Sequence, residues 1–516
     1  MNELQICYIA GMSSIPNATA EYLAQYALAR SLNRQIHFHL GPTNSGKTFE
    51  ALAVLKRASS GVYLAPLRLL AMEVRDTLVA AGVPCNLITG EERDIIEGAR
   101  HTASTIEMMD PAKQVAVAII DEIQMLADPD RGSAWTAALI GAPAKNIYIC
   151  GSTAVTDICI TAINQLNEAY HLHYCERKTP LHLEVNALCG EIYSRWNLKG
   201  KLQKGDAIIA FSRKDVLTLS ARIRQYGYTV ASIYGALSPE VRRSEAARFS
   251  EGFAQILVAT DAIGMGLNLP IRRVVFSTVD KFDGLISRKL GATETRQIAG
   301  RAGRYGIYAE GLVSTFDKAE LEYIELMLNT DDTIPLKALP TQLQMTDCQQ
   351  LSDRIHSNQL FEILNTLYKH PTMQNNLFTL QINQNMLTQA ELIDQYAALM
   401  PLKSKFIFAL APISLENIKE RDYFLLCLKS VASNKPRALP TAPAWLSSTS
   451  AKHLEDAENL SKYISFYAWL SFKFTHIFND IDQIKPLRRA VSNYIERALL
   501  SQAGYKQTSR EQNQLY

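Results

Sequence analysis

The sequence is short of charge, of tryptophan and of paired cysteines. Charged residues are 20% of the 516, and tryptophan occurs four times. Lys and Arg number 53 against 51 Asp and Glu, a formal net charge of +2. With 47% apolar residues, that balance excludes a disordered or collagen-like chain. It gives no bulk argument for a polyanionic partner, so any anion-binding surface must be a local patch. The eight cysteines, at 7, 85, 150, 159, 175, 189, 348 and 427, include no Cys-x-x-Cys pair. That argues against a zinc site and for free thiols in a reducing compartment. No run of about 18 uncharged apolar residues occurs, so no membrane span is expected. The opening MNELQICYIAGMSS lacks a basic segment leading into an apolar one and is not Arg-rich. Neither a secretory signal nor an import sequence is expected, and the expected location is cytoplasmic, of bacterial type.

What is present is organised in blocks. Residues 1–34 read as a short helical lead, AEYLAQYALARSL being its best segment. From 35 to 180, the short apolar runs IHFHL, GVYLAP, VAVAII and NIYICG alternate with helical patterns. From 181 to 320, AIIAF, TVASIYG, ILVAT, RVVFST and GLVSTF repeat that texture. Such alternation predicts two α/β lobes, each a parallel sheet covered by helices. From 321 to 516 strand-like runs become rare and amphipathic helical segments dominate, with a Pro-rich break at 434–448. Residues 35–180 hold 12 basic and 16 acidic side chains, and 181–320 hold 20 and 14. The second lobe is thus the better candidate to face an anion.

Gly41-Pro42-Thr43-Asn44-Ser45-Gly46-Lys47-Thr48 fits G-x-x-x-x-G-K-[ST], between a strand and a helix pattern. Glycines there let backbone N–H groups curl around phosphate oxygens, and the helix N-terminus adds its positive end. Lys47 would reach the β- and γ-phosphates and Thr48 would hold Mg²⁺. VAVAII runs directly into Asp121-Glu122-Ile123-Gln124. Asp121 would join the Mg²⁺ shell, and Glu122 would orient or deprotonate the attacking water. These motifs predict an NTPase without saying which kind. Gln297-Ile298-Ala299-Gly300-Arg301-Ala302-Gly303-Arg304, far along the chain, narrows the choice. Arg301 and Arg304 are three apart, so on a helical turn they would project to one side. There they could neutralise a transferring γ-phosphoryl.

Together, QIAGRAGR, GPTNSGKT and DEIQ resemble superfamily 2 helicases, in which nucleotide sits between two RecA-like lobes. APLRLLAMEV (65–74), TGEER (89–93), STIEMMD (104–110), IYGALSPEVRR (233–243), ATDAIGMGLNL (259–269) and DKFDG (280–284) further resemble the suppressor-of-var family. That family is the ATP-dependent RNA helicase of the mitochondrial degradosome, with bacterial relatives. The resemblance implies two tandem RecA-like lobes followed by a mainly helical C-terminal region. It implies ATP and Mg²⁺ as cofactors, 3′-to-5′ movement on RNA or DNA, and an exoribonuclease as partner. It places Pro66, Leu67, Arg68, Thr89, Gly90 and Thr105 on the nucleic-acid backbone from the first lobe. From the second lobe it adds Ser212, Arg213, Thr260 and Asp261. Gly264 to Asn268, with Gly266 and Asn268 toward the nucleotide, would join strand contacts to the ATP site. Gln297 would touch the γ-phosphate or the water. Gly151-Ser152-Thr153-Ala154 departs from the Gly-Glu-Pro usual in this branch, and no adenine-reading Gln motif precedes Gly41.

Between Leu269 and Gln297 two readings stay open: a strand-separating hairpin, or an ordinary connection. Tyr463, Phe466, Tyr467 and Trp469 have helical spacing and are expected in a core rather than under bases. His37 and His39 are expected to pack on a sheet face. Glu91, Glu92 and Asp94 are expected to be solvated. Two other functions compete with the helicase: a translocase that remodels RNA–protein complexes without unwinding, and a nuclease-recruiting scaffold with vestigial ATPase activity.

Overall fold

The computed structural model describes residues 18–189, 198–264, 269–282, 287–331, 334, 336–369, 377–448 and 450–501. The first lobe is an eight-stranded sheet of β1 (Gln35–Leu40), β2 (Gly61–Ala65), β3 (Cys85–Ile88), β4 (Arg93–Asp94), β5 (His101–Thr105), β6 (Val115–Ile120), β7 (Ala144–Gly151) and β8 (Ala169–Tyr174). Its spatial order is β4-β3-β5-β2-β6-β7-β1-β8, parallel except for the short β4. The apolar runs read from sequence are the central strands. VAVAII is buried at all but one position. β8, on the edge, alternates and is largely exposed, as an edge strand should be. β1 turns Ile36, Phe38 and Leu40 into the core. On its other face His37 stacks on Tyr148 and His171, and His39 leans on His173, so both histidines pack on the sheet as expected.

The helical lead closes the first lobe. Tyr22, Tyr26 and Ala29 enter its core. Arg34, 1% exposed, grips the Glu168 carboxylate at 2.5 and 2.6 Å and donates to the Leu139 and Ala142 carbonyls. A buried cation so fully paired fixes the chain where it enters β1.

The second lobe has six parallel strands. They are β9 (Leu181–Leu183), β10 (Asp206–Ile209), β11 (Val230–Ile233), β12 (Ile256–Ala259), β13 (Arg273–Phe276) and β16 (Gly311–Thr315), in the order β11-β12-β10-β13-β16-β9. Residues of β10 to β13 are wholly buried, the continuous apolar reading of a sheet covered on both faces. Between β13 and β16, β14 (Asp280–Phe282) and β15 (Ser287–Lys289) pair antiparallel. The stretch from 269 to 297 therefore carries a hairpin.

Beyond 321 the chain is mainly helical, ending in the long helices Leu454–Ser471 and Ile481–Ser501. One small ribbon interrupts it: β17 (Leu339–Gln342) pairs parallel with β18 (Phe378–Gln381). Leu339, Leu377 and Phe378 belong to the core of the first lobe, not of the helical region. Phe466 and Tyr467 are buried, Tyr463 stacks on Tyr423 at 4.4 Å and Trp469 on Phe466, the core packing expected of them.

Candidate functional site

Strand order sets the geometry of the site. β7 lies between β1 and β6, so its C-terminal Gly151 stands between the phosphate loop and the acidic pair. The Gly41 N–H donates to the Gly151 carbonyl at 2.9 Å. A Cβ on Gly41 would lie 2.1 Å from the Cys175 carbonyl oxygen, so nothing larger than glycine fits. Asn44 (φ 60°) and Gly46 (φ 89°) take left-handed conformations, curling the loop into the helix Lys47–Arg57. Lys47 is buried, and its Nζ donates to the Pro42 carbonyl at 2.9 Å. Thr48 Oγ1 donates to Asp121 Oδ1 at 3.2 Å, while the Tyr63 hydroxyl donates to Asp121 Oδ2 at 2.6 Å. A hydroxyl beside a carboxylate is the hard-oxygen pair that suits Mg²⁺. Burial, with the Glu122 charge alongside, raises the Asp121 carboxyl to about 6.

Glu122 has φ 52°, and Trp135 Nε1 pins the backbone before it by donating to the Asp121 carbonyl at 2.9 Å. Gln124 donates to the Glu122 carboxylate and accepts from the Ser152 N–H at 3.0 Å. Ala154 in turn accepts from the Ile334 N–H at 3.0 Å. The atypical Gly-Ser-Thr-Ala stretch is thus joined by one side chain to the acidic pair and by its backbone to the segment beyond the second lobe.

The second lobe meets this surface directly. A Cβ on Gly300 would lie 1.7 Å from Thr43 Oγ1. Asn44 Nδ2 donates to the Gly300 and Ala302 carbonyls at 3.1 and 3.2 Å. Arg301 lies 3.8 Å from Glu122 Oε1 and donates to the Gly264 carbonyl. Burial raises the Glu73 carboxyl, while the charges of Arg304, Arg301 and Arg243 pull against it. One expectation needs correction: the arginines are not on a helical turn. The helix ends at Ala299, and Gly303 (φ 70°) bends the chain, so both sit on a tight turn after it. The site has spare polar capacity. Among the described residues, Ser45 Oγ and Gln297 Nε2 are buried without a hydrogen-bond partner, and Lys47 Nζ donates to the Pro42 carbonyl. This donor set fits a triphosphate with Mg²⁺. Gly266 and Asn268 lie outside the described residues.

The strand-contact residues are more heavily engaged than the sequence suggests. Pro66 gives its carbonyl to Arg131, and Leu67 precedes the helix Arg68–Ala80. Thr89 is buried, its hydroxyl accepting from the Glu91 and Glu92 N–H groups. Gly90 faces open space, and Thr105 closes β5. Arg68 is not free: it pairs with Glu91, Glu92 and Glu240 at 3.3, 2.8 and 2.7 Å. Arg488 of the last helix also takes Glu91, at 2.8 Å, and Arg75 takes Asp94. Glu91 and Glu92, expected to be solvated, are therefore held in ion pairs, while the Asp94 side chain stays 46% exposed. Ser212 caps the helix Arg213–Gln225, and Arg213 pairs with Glu458 at 2.6 Å. Thr260 accepts from the Ala262 N–H, and Asp261 pairs with Lys281 on β14 at 2.7 Å. Lys281 also holds Glu294 at 2.9 Å. Against the pull of burial, hydrogen bonds from Arg288 and Lys281 keep the Glu294 carboxyl at about 2. Arg68, Glu240, Lys462, Ser465 and Arg488 line a cavity of about 220 Å³ where both lobes meet the last helices.

Sequence reasoning missed Asn44 as a bridge to the second lobe. It also missed Gln124 with Ser152, Glu240 with Arg488, and Arg177 on the tether between the lobes. The partners of Asn44 lie 256 and 258 residues away, beyond any local pattern.

Comparison with known proteins agrees with this arrangement. Residues 23–175 match the DEXQ-box helicase domain of Suv3, 185–306 the helicase conserved C-terminal domain, and 454–501 the C-terminal domain of ATP-dependent RNA helicase SUV3. The rice (Oryza sativa subsp. japonica) mitochondrial ATP-dependent RNA helicase SUV3 is 34% identical over 496 residues, covering 94% of this chain and 83% of the rice protein. The Arabidopsis thaliana mitochondrial helicase DExH18 is 35% identical over 94% of this chain, which spans 62% of that relative's length. Among solved structures, the Escherichia coli DEAH/RHA helicase HrpB aligns with a TM-score of 0.52 at 16% identity, over 96% of this chain and 61% of HrpB. At that identity it speaks for the fold alone.

Proposed function

Since this chain belongs to the SUV3 family of DEXQ-box RNA helicases, we propose that it hydrolyses ATP between its lobes and uses their closure to draw single-stranded RNA, 3′ to 5′, past the cavity where both lobes meet the last helices. The observation that carries this reading is Arg301 standing 3.8 Å from Glu122 across the cleft, so a finger and a candidate base share one site.

Lys47 would exchange the Pro42 carbonyl for the β- and γ-phosphates of ATP. Thr48 and Asp121 would hold Mg²⁺, which when bound supplies charge neutralisation on the phosphate oxygens. Glu122 takes the proton of the attacking water, and Gln297, with a spare amide N–H, orients it. Arg301 and Arg304 neutralise charge on the transferring group. Gln124 and Ser152 relay the state of the acidic pair to the segment beyond the second lobe. In the cavity, strand phosphates would displace carboxylates from Arg68 and Arg488. Such contacts carry no sequence information and allow stepping along any strand. The hairpin strands carry Phe282, 63% exposed, as one aromatic face on which a base could stack; this favours unwinding over remodelling without strand separation. An exoribonuclease that consumes the released strand is part of this proposal on resemblance alone.

The test is an unwinding assay on 3′- and 5′-tailed RNA, DNA and hybrid duplexes, with strand-stimulated ATP hydrolysis measured in parallel. Opening of 3′-tailed RNA supports the proposal, and absence of stimulation by any strand leaves the scaffold reading. Arg301→Ala is expected to bind ATP normally and lose about 10³–10⁵ in kcat.

A further inference from the structure

The tether between the lobes, residues 175–180, carries a side chain that neither the phosphate loop nor the finger motif includes. Arg177 reaches from it into the cleft. Nη1 donates to the Thr43 carbonyl at 3.0 Å and to the Gly300 carbonyl at 2.8 Å; Nη2 donates to the Ala302 carbonyl; Nε turns back to the Thr179 carbonyl at 2.6 Å. Thr43 is at the apex of the phosphate loop. Gly300 and Ala302 are the immediate neighbours of Arg301. One guanidinium therefore holds the peptide groups on both sides of the finger and, with the same planar head, the loop that would hold the triphosphate. The next residue strengthens the attachment, for the Lys178 N–H donates to the Asn44 carbonyl at 3.1 Å.

The chemistry of this contact is unusual for a structural cation. Its four partners are carbonyl oxygens, and burial pushes the guanidinium down to about 10. An arginine buried for stability alone normally finds a carboxylate, because partial dipoles do not offset the loss of water as well. Set between the phosphate loop and the finger turn, the same charge is used to join two backbone segments from different lobes.

We propose that Arg177 is a positioning residue for ATP hydrolysis: by clamping the peptide units that flank Arg301 against the phosphate loop, it makes lobe closure and finger placement a single event. This rests on the hydrolytic reading of the cleft. Lysine cannot substitute, since a single ammonium does not span the three carbonyls that a planar fork reaches.

The test compares the unmodified chain with Arg177→Ala, Arg177→Lys, Arg301→Ala and the double variant Arg177→Ala/Arg301→Ala, under single-strand RNA stimulation. Fluorescent-nucleotide affinity is measured alongside. Arg177→Ala is expected to lose about a hundredfold in kcat, the scale of a misplaced catalytic group, with nucleotide affinity within about threefold. Arg177→Lys should not rescue it. The double variant should turn over no more slowly than Arg301→Ala alone, because the first residue acts through the second. A kcat for Arg177→Ala within about threefold of the unmodified chain overturns the proposal, as do losses that multiply in the double variant. If Arg177→Ala does not fold, Arg177→Gln replaces it and is judged by the same criteria. Amide hydrogen exchange over residues 301–304, without nucleotide, reads the clamp independently of turnover. It should be at least about tenfold faster in Arg177→Ala, and equal exchange overturns the clamp. If the unmodified chain proves inactive while exchange still responds to Arg177, the hydrolytic reading fails and the clamp stands.

Discussion

Gly300 shows how finely single residues set this site. The carbon that alanine would add falls 1.7 Å from Thr43 Oγ1 and 2.7 Å from the Arg296 carbonyl oxygen. Gly300→Ala is therefore expected to hold the lobes apart, lowering strand-stimulated kcat by about a hundredfold or more while leaving ATP affinity nearly unchanged; steady-state kinetics beside nucleotide titration would show this split. That Lys47, Thr48 and Asp121 lie together could be anticipated from sequence, because each belongs to a short motif at the end of a buried strand. Arg177 could not: its cross-cleft partners are 123 to 134 positions away, and CERKTP gives no periodic signal. Arg301 and Arg304, expected on a helical turn, lie instead on the turn after Ala299, since their Gly-rich spacing describes a helix and a turn equally well.

At the scale of elements, the hairpin is tied to the motor at its base. Lys281 bridges Asp261 and Glu294, so any movement of the Thr260–Asp261 segment during turnover would be felt at β14. Lys281→Ala should retain most strand-stimulated ATP hydrolysis yet lose about tenfold in duplex unwinding, a ratio read by running both assays on one preparation. The last helix carries a second such feature. Burial, with Glu245 nearby, raises the Glu496 carboxyl to about 7, against opposing effects of Ser244, Arg497 and Arg248. Folding thus keeps a proton that the unfolded chain releases above about 4.5. Stability from this contact is greatest at low pH and falls as pH rises from about 4.5 to about 7. Glu496→Gln should raise the thermal midpoint by about 1–3 °C at about pH 8 and leave it unchanged at about pH 4.5, by calorimetry at both pH values. The central strands of both lobes could be read from sequence because buried parallel strands are continuous apolar runs, whereas the short or more polar β3, β4, β5, β8 and β9 could not. The ribbon of β17 and β18 could not, since LPTQ and FTLQ are short and half polar.

Over the whole molecule, the acidic residues that looked solvated form an ionic junction. Glu91 accepts from Arg68 of its own lobe and Arg488 of the last helix, while Arg68 also reaches Glu240 of the second lobe. Partners 397 residues apart leave no trace in a local charge count. If strand phosphates take these cations, Arg488→Ala should weaken single-strand RNA binding equally for all sequences. It should also flatten the log–log salt dependence by about 0.7 for each phosphate no longer neutralised, measured by fluorescence anisotropy across a salt series.

The placement of β18 has a consequence for how the molecule is made. Phe378 packs against Tyr22 with ring centroids 5.2 Å apart, and Gln381 bonds the Ser133 N–H and the Asp128 carbonyl. The N-terminal half thus waits for a piece of itself that leaves the ribosome about 200 residues after β8, a delay of roughly 10–40 s at ordinary translation speeds. Throughout that interval the apolar flank around Tyr22 would lack its cover on the nascent polypeptide, which would give chaperones their longest opportunity to bind there.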